Sequence, residues 1–228
     1  MAEEVVKKRK KFEIKDDVDE AEPWLLTYGD LMTLLMTFFV LLFSMSTIDP
    51  VKLEQFSDSI GDALGGRKKT EKFSLAEIYK EVANVIEEEN LKGVVEVETS
   101  PKGVSIILPS NISFASGSAN LNPNIYPLLN KFESMMQKSV FPIAIEGHTD
   151  NEPISSPMFP SNWELSSSRA AQVVRFYIAR GIPADRFQAV GLSYTRPKAR
   201  GATVAEANAT SEKRATNRRV EIYFLTMR

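Results

Sequence analysis

The chain has 228 residues, a formal net charge of −2, no cysteine and one histidine. A chain of this length accommodates one membrane segment and one soluble domain of about 150 residues. A net charge this close to zero excludes a nucleic-acid-binding protein that relies on bulk attraction to phosphates. The absence of cysteine excludes a disulfide framework and thiolate chemistry, and it argues against a zinc site.

A long apolar segment follows a basic N-terminal tail. Trp24 to Met45 are mostly Leu, Met, Phe, Thr and Val, and at about 1.5 Å per residue a helix of that length crosses the roughly 30 Å hydrocarbon layer of a bilayer. The basic run Lys7–Lys11 favours a cytoplasmic N-terminus. A cleaved signal peptide and a buried core helix are the alternatives, but "FSMSTIDP" lacks a small-residue cleavage site. The sequence predicts an uncleaved transmembrane anchor.

One carboxylate lies inside this apolar segment. At 100° per residue, Asp30 shares a helix face with Thr27, Thr33, Thr37 and Ser44. A charged group at membrane depth is costly, and such groups usually mark ion pathways or pair with partner helices. The segment contains no Lys or Arg, so any pairing partner belongs to another chain. The residues alone leave two hypotheses for Asp30: ion translocation, or assembly with a partner.

A short amphipathic stretch comes next. Val51, Phe56, Ile60 and Leu64 recur at helical spacing among charged residues, which predicts a helix just outside the membrane. Such a helix can pack on a channel mouth, lie in the lipid interface, pair with its copy in a dimer, or serve only as a linker. Gly65–Gly66 and a polar stretch then end it.

Alternating helical and strand patterns begin at residue 74. Ser74 and Glu77 form a capping box that opens a helix. Strands alternating with helices predict an α+β or α/β domain whose helices cover one face of a small sheet. The predicted elements are a helix to Glu89, strands Val94–Glu98 and Val104–Leu108, a helix Pro123–Gln137, a strand Phe141–Glu146, a helix Leu165–Ala179, and strands Phe187–Val190 and Val220–Phe224.

The catalytic motifs that would indicate an enzyme are missing from the sequence. His148 has Glu146 and Asp150 nearby, but no G-x-S-x-G motif supplies a nucleophile and no second histidine completes a metal site. A single histidine at a strand end is more often structural. We therefore expect no catalytic residue, no metal and no cofactor.

Two stretches resemble known families. "IEGHTDNE", "NWELSSSRAAQ" and "NRRVEIYF", with "FASGSANLNP" before them, resemble the OmpA-like peptidoglycan-binding domain. "PWLLTYGDLMTLLMTFFVLLFSMS" resembles the membrane segment of the MotB/PomB flagellar stator subunits. The order of basic tail, Asp-bearing segment, amphipathic stretch and OmpA-like domain covers nearly the whole chain. The resemblance implies a single transmembrane α-helix followed by an α+β periplasmic domain, the OmpA-like βαβ sandwich.

The OmpA-like motif implies a binding site for peptidoglycan. Asp150 and Arg169 match the family's aspartate and arginine, which clamp the ammonium and carboxylate of a stem-peptide residue. Asn162 and Leu165 match the pattern that shapes the pocket, and Arg218 matches the arginine before the last strand. The insertion "NEPISSPMFPS" is longer than in ordinary OmpA-like domains, as is usual among stator subunits.

The MotB resemblance implies an ion-channel function for Asp30. In the family, two such helices lie inside a ring of multi-span MotA-type subunits, and the carboxylate passes H⁺ or Na⁺ to drive the flagellar motor. Thr27, Thr33 and Thr37 would line the path, and the stretch around Val51–Leu64 would be the plug. The sequence of the membrane segment resembles the sodium-type members of the family somewhat more closely.

The implied organisation divides the chain into four parts in the bacterial inner membrane and periplasm. These are a cytoplasmic tail (1–23), a transmembrane helix (24–46), a plug helix and linker (47–73), and a peptidoglycan-binding domain (74–228).

Three other functions remain as alternatives. A passive wall tether needs no charge in its span, which argues against it. An ExbD/TolR-like transducer also carries an aspartate in its span but lacks the OmpA-like motif. A defence or gliding system that reuses the stator architecture is compatible with the sequence.

Overall fold

The computed structural model describes residues 23–46, 52–53, 56, 59–60 and 73–226. It contains two compact units, Met1–Thr47 and Ile48–Arg228.

The first unit contains one uninterrupted helix, α1, from Pro23 to Met45. Trp24–Met45 have a mean hydropathy of 1.8 with none of the span buried. By length and composition this helix can cross a membrane. Its apolar side chains lie exposed along the whole length of the helix.

The predicted amphipathic helix is described in part. Residues 52, 53, 56, 59 and 60 are helical, and Phe56 and Ile60 of the predicted stripe expose 63% and 42% of their surface. Val51 and Leu64 lie outside the described residues.

The domain formed by residues 73–226 contains five helices and five strands among its described residues, together with short 3-10 turns. They are α2 (Leu75–Glu88), β1 (Glu96–Ser100), β2 (Gly103–Pro109), α3 (Ser110–Ser113), α4 (Tyr126–Lys138), β3 (Ile143–His148), α5 (Asn162–Ile178), β4 (Phe187–Gly191), α6 (Ser211–Asn217) and β5 (Arg219–Leu225). The 3-10 turns are Pro123–Ile125, Ala184–Arg186 and Glu206–Asn208.

The strands form one sheet in the order β1-β2-β5-β3-β4. β1 with β2, β2 with β5, and β3 with β5 are antiparallel pairs. β3 and β4 are parallel, because α5 connects them as a crossover. In the centre of the sheet Glu146 pairs with Glu221, and His148 pairs with Arg219.

The long helices pack against one face of the sheet and bury its apolar side chains. The capping box of α2 forms as predicted: the amide of Glu77 donates to the Ser74 hydroxyl and the Ser74 amide donates to the Glu77 carboxylate. The core side chains come from the sheet and from the three long helices, α2, α4 and α5. The largest fully buried ones include Tyr177, Phe132, Phe224, Ile78, Ile106 and Ile145. This arrangement confirms the predicted α+β fold.

Two glycines allow α5 to approach the sheet closely. A Cβ on Gly147 would lie 2.1 Å from the carbonyl oxygen of Ser166, and a Cβ on Gly191 would lie 2.0 Å from the Ser167 hydroxyl. Contacts this short do not occur between real atoms, so both positions require glycine. The two glycines therefore fix α5 directly on β3 and β4.

Several element bounds differ from the predictions. α5 begins at Asn162 rather than Leu165, because the Ser161 side chain caps it by accepting from the Trp163 amide. β3 runs to His148 rather than Glu146. The predicted helix from Pro123 begins as a 3-10 turn, and α3 and α6 were not predicted because they are short and lack a strong apolar period.

Candidate functional site

A groove of about 670 Å³ opens at one end of the sheet. Asp150, Asn162, Leu165, Arg169 and Arg218, the five residues that the sequence assigns to peptidoglycan binding, all line it. The other walls come from α3, from the segment that follows it and from the insertion that follows β3; they include Asn111, Phe114, Asn122, Glu152 and Ile154.

The fold brings these residues together from three places in the sequence. Asp150 follows β3 by two residues, Arg169 lies on α5, and Arg218 lies between α6 and β5. Because β3 and β5 pair side by side and α5 packs on β3 through Gly147, the three side chains converge at one sheet end.

Asp150 is held by Arg218 and not by Arg169. The carboxylate of Asp150 is buried, and its Oδ2 lies 2.5 Å from Nη1 of Arg218. The other oxygen accepts from the amide of Glu152 at 3.3 Å. The Arg218 side chain is 40% exposed, so it can leave this pair more easily than a buried arginine could. The pairing of Asp150 with Arg218 was not predicted.

Arg169 is a buried cation that faces the groove. Only 4% of its surface is exposed, and its Nε donates to the carbonyl of Ser118 at 2.9 Å while Nη1 donates to the Ser110 hydroxyl at 3.5 Å. Its guanidinium carbon lies 5.2 Å from the centre of the Phe114 ring. Burial, reinforced by the charge of Arg218 and opposed by Asp150, lowers the pKa of Arg169 to about 10, so it stays charged at neutral pH.

Because it is buried, Arg169 is not a surface arginine of the helix, and it does not pair with Glu164. The Glu164 carboxylate instead accepts from the Ser161 hydroxyl at 2.5 Å.

Asn162 and Leu165 fix the shape of the groove wall. The amide nitrogen of Asn162 donates to the carbonyl of Glu152 at 2.8 Å and to that of Asp150 at 3.3 Å. Leu165 is 5% exposed and forms a small apolar cluster with Ala119 and Phe159. The insertion after β3 is therefore tied to the first turn of α5 through Asn162.

A second polar cluster lies in the middle of the sheet, outside the groove. The ring of His148 is 2% exposed, and its Nε2 lies 3.8 Å from both Glu146 Oε2 and Glu221 Oε1. Burial, reinforced by the charge of Arg219, lowers the pKa of His148 to about 4. Sequence reasoning found Glu146 beside His148 but missed Glu221, because only the pairing of β3 with β5 brings it there.

The three threonines that are predicted to line the ion path all lie on α1, and their hydroxyls donate hydrogen bonds to carbonyls of the same helix. Thr27 donates to the Trp24 carbonyl at 2.8 Å and Thr33 to the Asp30 carbonyl at 2.9 Å. Thr37 donates to the carbonyls of Thr33 and Leu34. The hydroxyl oxygens keep lone pairs that can accept from water or contact a cation.

The groove has the chemistry to hold a small zwitterion. A buried guanidinium offers a planar set of donors to a carboxylate, and a carboxylate accepts from an ammonium. The charged side chains that line it are Arg169 and Arg218, which are positive, and Asp150 and Glu152, which are negative; Glu152 is paired with Arg214. An anionic group therefore has two cationic partners at this site.

Two family models match separate regions of the chain. Residues 7–64 match the family model for the membrane protein MotB of the proton-channel complex MotA/MotB. Residues 113–217 match the OmpA family model. The first match contains Asp30 and the whole predicted plug, and the second contains four of the five groove residues, with Arg218 immediately after its end.

Three proteins illustrate the similarity. The chain is 32% identical over 236 residues to the uncharacterised protein YtxE of Bacillus subtilis, covering 94% of this chain and 95% of YtxE. It is 29% identical to motility protein B of the same organism, covering 96% and 95%. The structure of the cell wall anchor of the T6SS from Pseudomonas aeruginosa is 34% identical, with a TM-score of 0.55, over 63% of this chain and 96% of the anchor. The chain belongs to the MotB family of OmpA-like peptidoglycan-binding proteins.

Proposed function

We propose that this protein is the ion-conducting, wall-anchored stator subunit of a flagellar motor. The observation that carries the proposal is that one chain joins an apolar helix bearing Asp30 to a groove lined by Asp150, Arg169 and Arg218. A wall anchor alone requires only the groove. An ion relay that exerts torque requires both, because force on a subunit that is not held in place is dissipated.

The membrane half of the proposal follows the family. A dimer of this chain places two α1 helices inside a ring of MotA-type subunits, with Asp30 taking up H⁺ or Na⁺ from outside and releasing it inside. Thr27, Thr33 and Thr37 line the path, and the stretch from Val51 to Leu64 plugs it. No bound cofactor takes part, and one charge that crosses 100 mV supplies about 2.3 kcal/mol.

Residues 1–23 are the cytoplasmic tail, 24–46 the span, 47–73 the plug and linker, and 74–228 the periplasmic wall-binding domain in this proposal. The match of residues 7–64 to the MotB model supports this order.

The wall half of the proposal uses the groove. Arg169 binds the carboxylate of a stem-peptide residue, and Asp150 accepts from its ammonium. Because Arg218 holds Asp150 in the free protein, the ammonium displaces it, and the released guanidinium turns to the ligand's carboxylate. Binding thus replaces one ion pair within the protein by three charge-assisted contacts with the ligand.

Binding to isolated peptidoglycan sacculi tests the wall half. Asp150→Asn keeps the side-chain shape and removes the charge, so we expect sacculus binding to fall by about tenfold or more. Arg218→Gln should weaken binding less, because its loss also frees Asp150. Arg175→Gln is the matched control, since Arg175 is an exposed arginine of the same helix as Arg169. Equal binding by wild type and Asp150→Asn, with both folded, would contradict the assignment of the groove.

Ion influx tests the membrane half. Cells co-produce the MotA-type partner and a chain that lacks residues 52–65, which removes most of the predicted plug, with Asp30 either intact or changed to Asn. We expect influx with Asp30 and none with Asp30→Asn, and its dependence on Na⁺ identifies the ion. The full-length chain, which keeps the predicted plug, is co-produced with the same partner and serves as the closed control. If neither deletion form shows influx although the partner is assembled, the proposed role of Asp30 in ion translocation is contradicted.

A wall anchor for a non-flagellar machine is the second candidate. It is favoured by the likeness to the T6SS cell wall anchor, at 34% identity and a TM-score of 0.55. This candidate predicts sacculus binding that depends on Asp150 together with no influx through Asp30. A stator-like unit of a defence or gliding system would instead show both properties in a cell that swims normally without this chain.

A further inference from the structure

The cluster of Glu146, His148 and Glu221 is unlike the other charged groups of the domain. The three side chains come from neighbouring strands, and one ligand atom from each lies within 4.8 Å of the others. The Glu221 side chain is 6% exposed and that of Glu146 is 13% exposed. Buried carboxylates are usually paired with cations or coordinate metal ions.

His148 is buried with its ring unsatisfied. Neither Nδ1 nor Nε2 has a hydrogen-bond partner among the described residues, although only 2% of the side chain is exposed. An unpaired buried polar atom is costly. Its Nε2 lies at equal distances of 3.8 Å from one oxygen of each glutamate, so the ring is directed into the space between the two carboxylates.

We propose that Glu146, His148 and Glu221 form a binding site for a divalent first-row transition-metal ion such as Zn²⁺. One imidazole nitrogen and two carboxylate oxygens are a ligand set that these ions accept, whereas Ca²⁺ and Mg²⁺ prefer oxygen alone. Bonds of about 2.0–2.2 Å in a tetrahedral site separate ligand atoms by roughly 3.3–3.6 Å. The two separations from His148 Nε2 to the glutamate oxygens are 3.8 Å, and all three ligand atoms lie within 4.8 Å of one another, so the side chains must move closer together around the ion, with water as the fourth ligand.

Two cations, Arg219 and Lys102, form ion pairs with the glutamates of the cluster, and they act differently. Arg219 donates from Nε to Glu221 Oε1 at 2.5 Å and is itself fixed by carbonyls of Asn217 and Arg196, so it orients Glu221 as an outer partner. Lys102 contacts the other oxygen of Glu146, Oε1, at 3.3 Å, and its side chain is 51% exposed. Oε2 of Glu146 thus remains available to the ion, and Lys102 can turn into solvent when the ion binds.

The position of the site gives the ion a structural consequence. His148 ends β3 two residues before Asp150, and Glu221 follows Arg218 by three residues on β5. An ion held by both strands therefore joins them beside the two residues of the groove that form an ion pair. This inference departs from the sequence-based expectation of no metal, and it does not depend on the motor function.

A Zn²⁺ titration of the full chain in detergent micelles, without a polyhistidine tag and after treatment with EDTA, tests the site. His148 is the one histidine of the chain and there is no cysteine, so the ¹⁵N spectrum contains one imidazole, whose Nε2 signal reports on the nitrogen ligand. We expect one Zn²⁺ per chain by equilibrium dialysis, a shift of that imidazole signal, and a melting temperature of the domain that rises with Zn²⁺ concentration. Mg²⁺ should not compete.

Four variants decide the outcome. His148→Asn and Glu146→Gln should each weaken Zn²⁺ binding by at least about tenfold. Lys102→Gln should strengthen it by about two- to fivefold, because it removes the cation that competes for Glu146. Glu133→Gln, which removes a carboxylate on α4 that contacts Arg180, should change nothing.

Three results would overturn the site: no Zn²⁺ bound by the wild type, equal displacement by Mg²⁺, or binding that survives in Glu146→Gln. If His148→Asn fails to fold, Glu146→Gln and the direction of the Lys102→Gln effect still decide the question.

Discussion

α1 and the domain of residues 73–226 differ in how far their large apolar side chains are buried. In α1 even the large apolar side chains are exposed, for example Phe43 at 73% and Leu26 at 74%. In the domain, Phe132 and Phe224 are fully buried by their own chain. The domain supplies its own apolar environment, whereas the sequence of α1 suits surroundings that lipid or other helices must supply.

The difference determines how each region can be tested. A substitution in the domain acts on the free energy of unfolding of this chain alone. The same substitution in α1 acts only through a bilayer or a partner. Matched pairs of variants, one in each region, therefore separate folding from assembly.

The largest expected effect is the loss of a core aromatic side chain. Phe132 of α4 is 0% exposed, so Phe132→Ala should lower the free energy of unfolding of the domain by about 3–5 kcal/mol. Phe39→Ala is the matched control, because Phe39 of α1 is 59% exposed and its loss should leave domain unfolding unchanged. Urea titration in detergent micelles measures both. Equal losses would contradict the separation of the two regions.

A glycine pair gives the next largest contrast. Gly147→Ala places a Cβ 2.1 Å from the Ser166 carbonyl oxygen, so α5 must move off the sheet, at a cost of about 3 kcal/mol. Gly29 of α1 has no described atom within 4 Å of such a Cβ, and in a helix interior Ala is preferred to Gly by about 1 kcal/mol.

We therefore expect Gly147→Ala to lower the urea midpoint of the domain and Gly29→Ala to leave it unchanged. The ion influx assay gives a second measurement on Gly29→Ala. A loss of influx in this variant would indicate that a neighbouring helix packs against the side of α1 that carries Gly29. A Gly147→Ala domain as stable as wild type would contradict the close packing of α5 on β3.

The fold was largely predictable because its signals are local. The capping box at Ser74, the apolar period of α4 and the β-rich runs of β1 and β2 depend on neighbouring residues. The errors occurred where a cap or a tertiary contact decides the boundary, as at Ser161, where a side-chain hydrogen bond begins α5 three residues early. Short α3 and α6 carry too few apolar residues for a period to be recognised.

The groove was predictable in its membership and not in its pairing. The motif resemblance assigned Asp150, Arg169 and Arg218 to one site, and the structure places all three around the groove. The pattern carries no distances, so it could not reveal that Asp150 pairs with Arg218. Glu221 was missed for a related reason, since its approach to His148 depends on the register of β3 with β5.

A medium effect is expected at the groove wall. Asn162→Ala removes the donor to the carbonyls of Glu152 and Asp150, which leaves both without this partner at a cost of about 1–3 kcal/mol. Asn130→Ala is the control, because Asn130 is an exposed residue of α4 that accepts from Arg180. Sacculus binding should fall in Asn162→Ala beyond the loss of stability, since the Asp150 backbone loses its anchor. Normal binding by a destabilised Asn162→Ala domain would limit Asn162 to a role in folding.

The smallest effect is expected for an ion pair at the rim of the sheet. Lys198 contacts Glu96 at 2.5 Å and Glu98 at 3.0 Å, and its side chain is 21% exposed. Burial lowers the pKa of Lys198, but the hydrogen bonds that its ammonium donates to Glu96 and Glu98 outweigh this effect, so the pKa lies above its usual 10.5. Lys198→Gln should cost about 0.5–1 kcal/mol of unfolding free energy.

The sign of the pH dependence follows from the raised pKa of Lys198. A group that holds its proton more tightly in the folded state stabilises that state below its unfolded pKa, and the stabilisation is lost as pH rises past about 10.5. The difference in unfolding free energy between wild type and Lys198→Gln should therefore be constant near neutral pH and shrink in alkaline buffer. Lys92→Gln, at a pair with both side chains 67% exposed, should show no measurable difference at either pH. If the effect of Lys198→Gln on the unfolding free energy persists unchanged in strongly alkaline buffer, the methylene chain of Lys198 stabilises the contact with β1 by packing, and its charge does not.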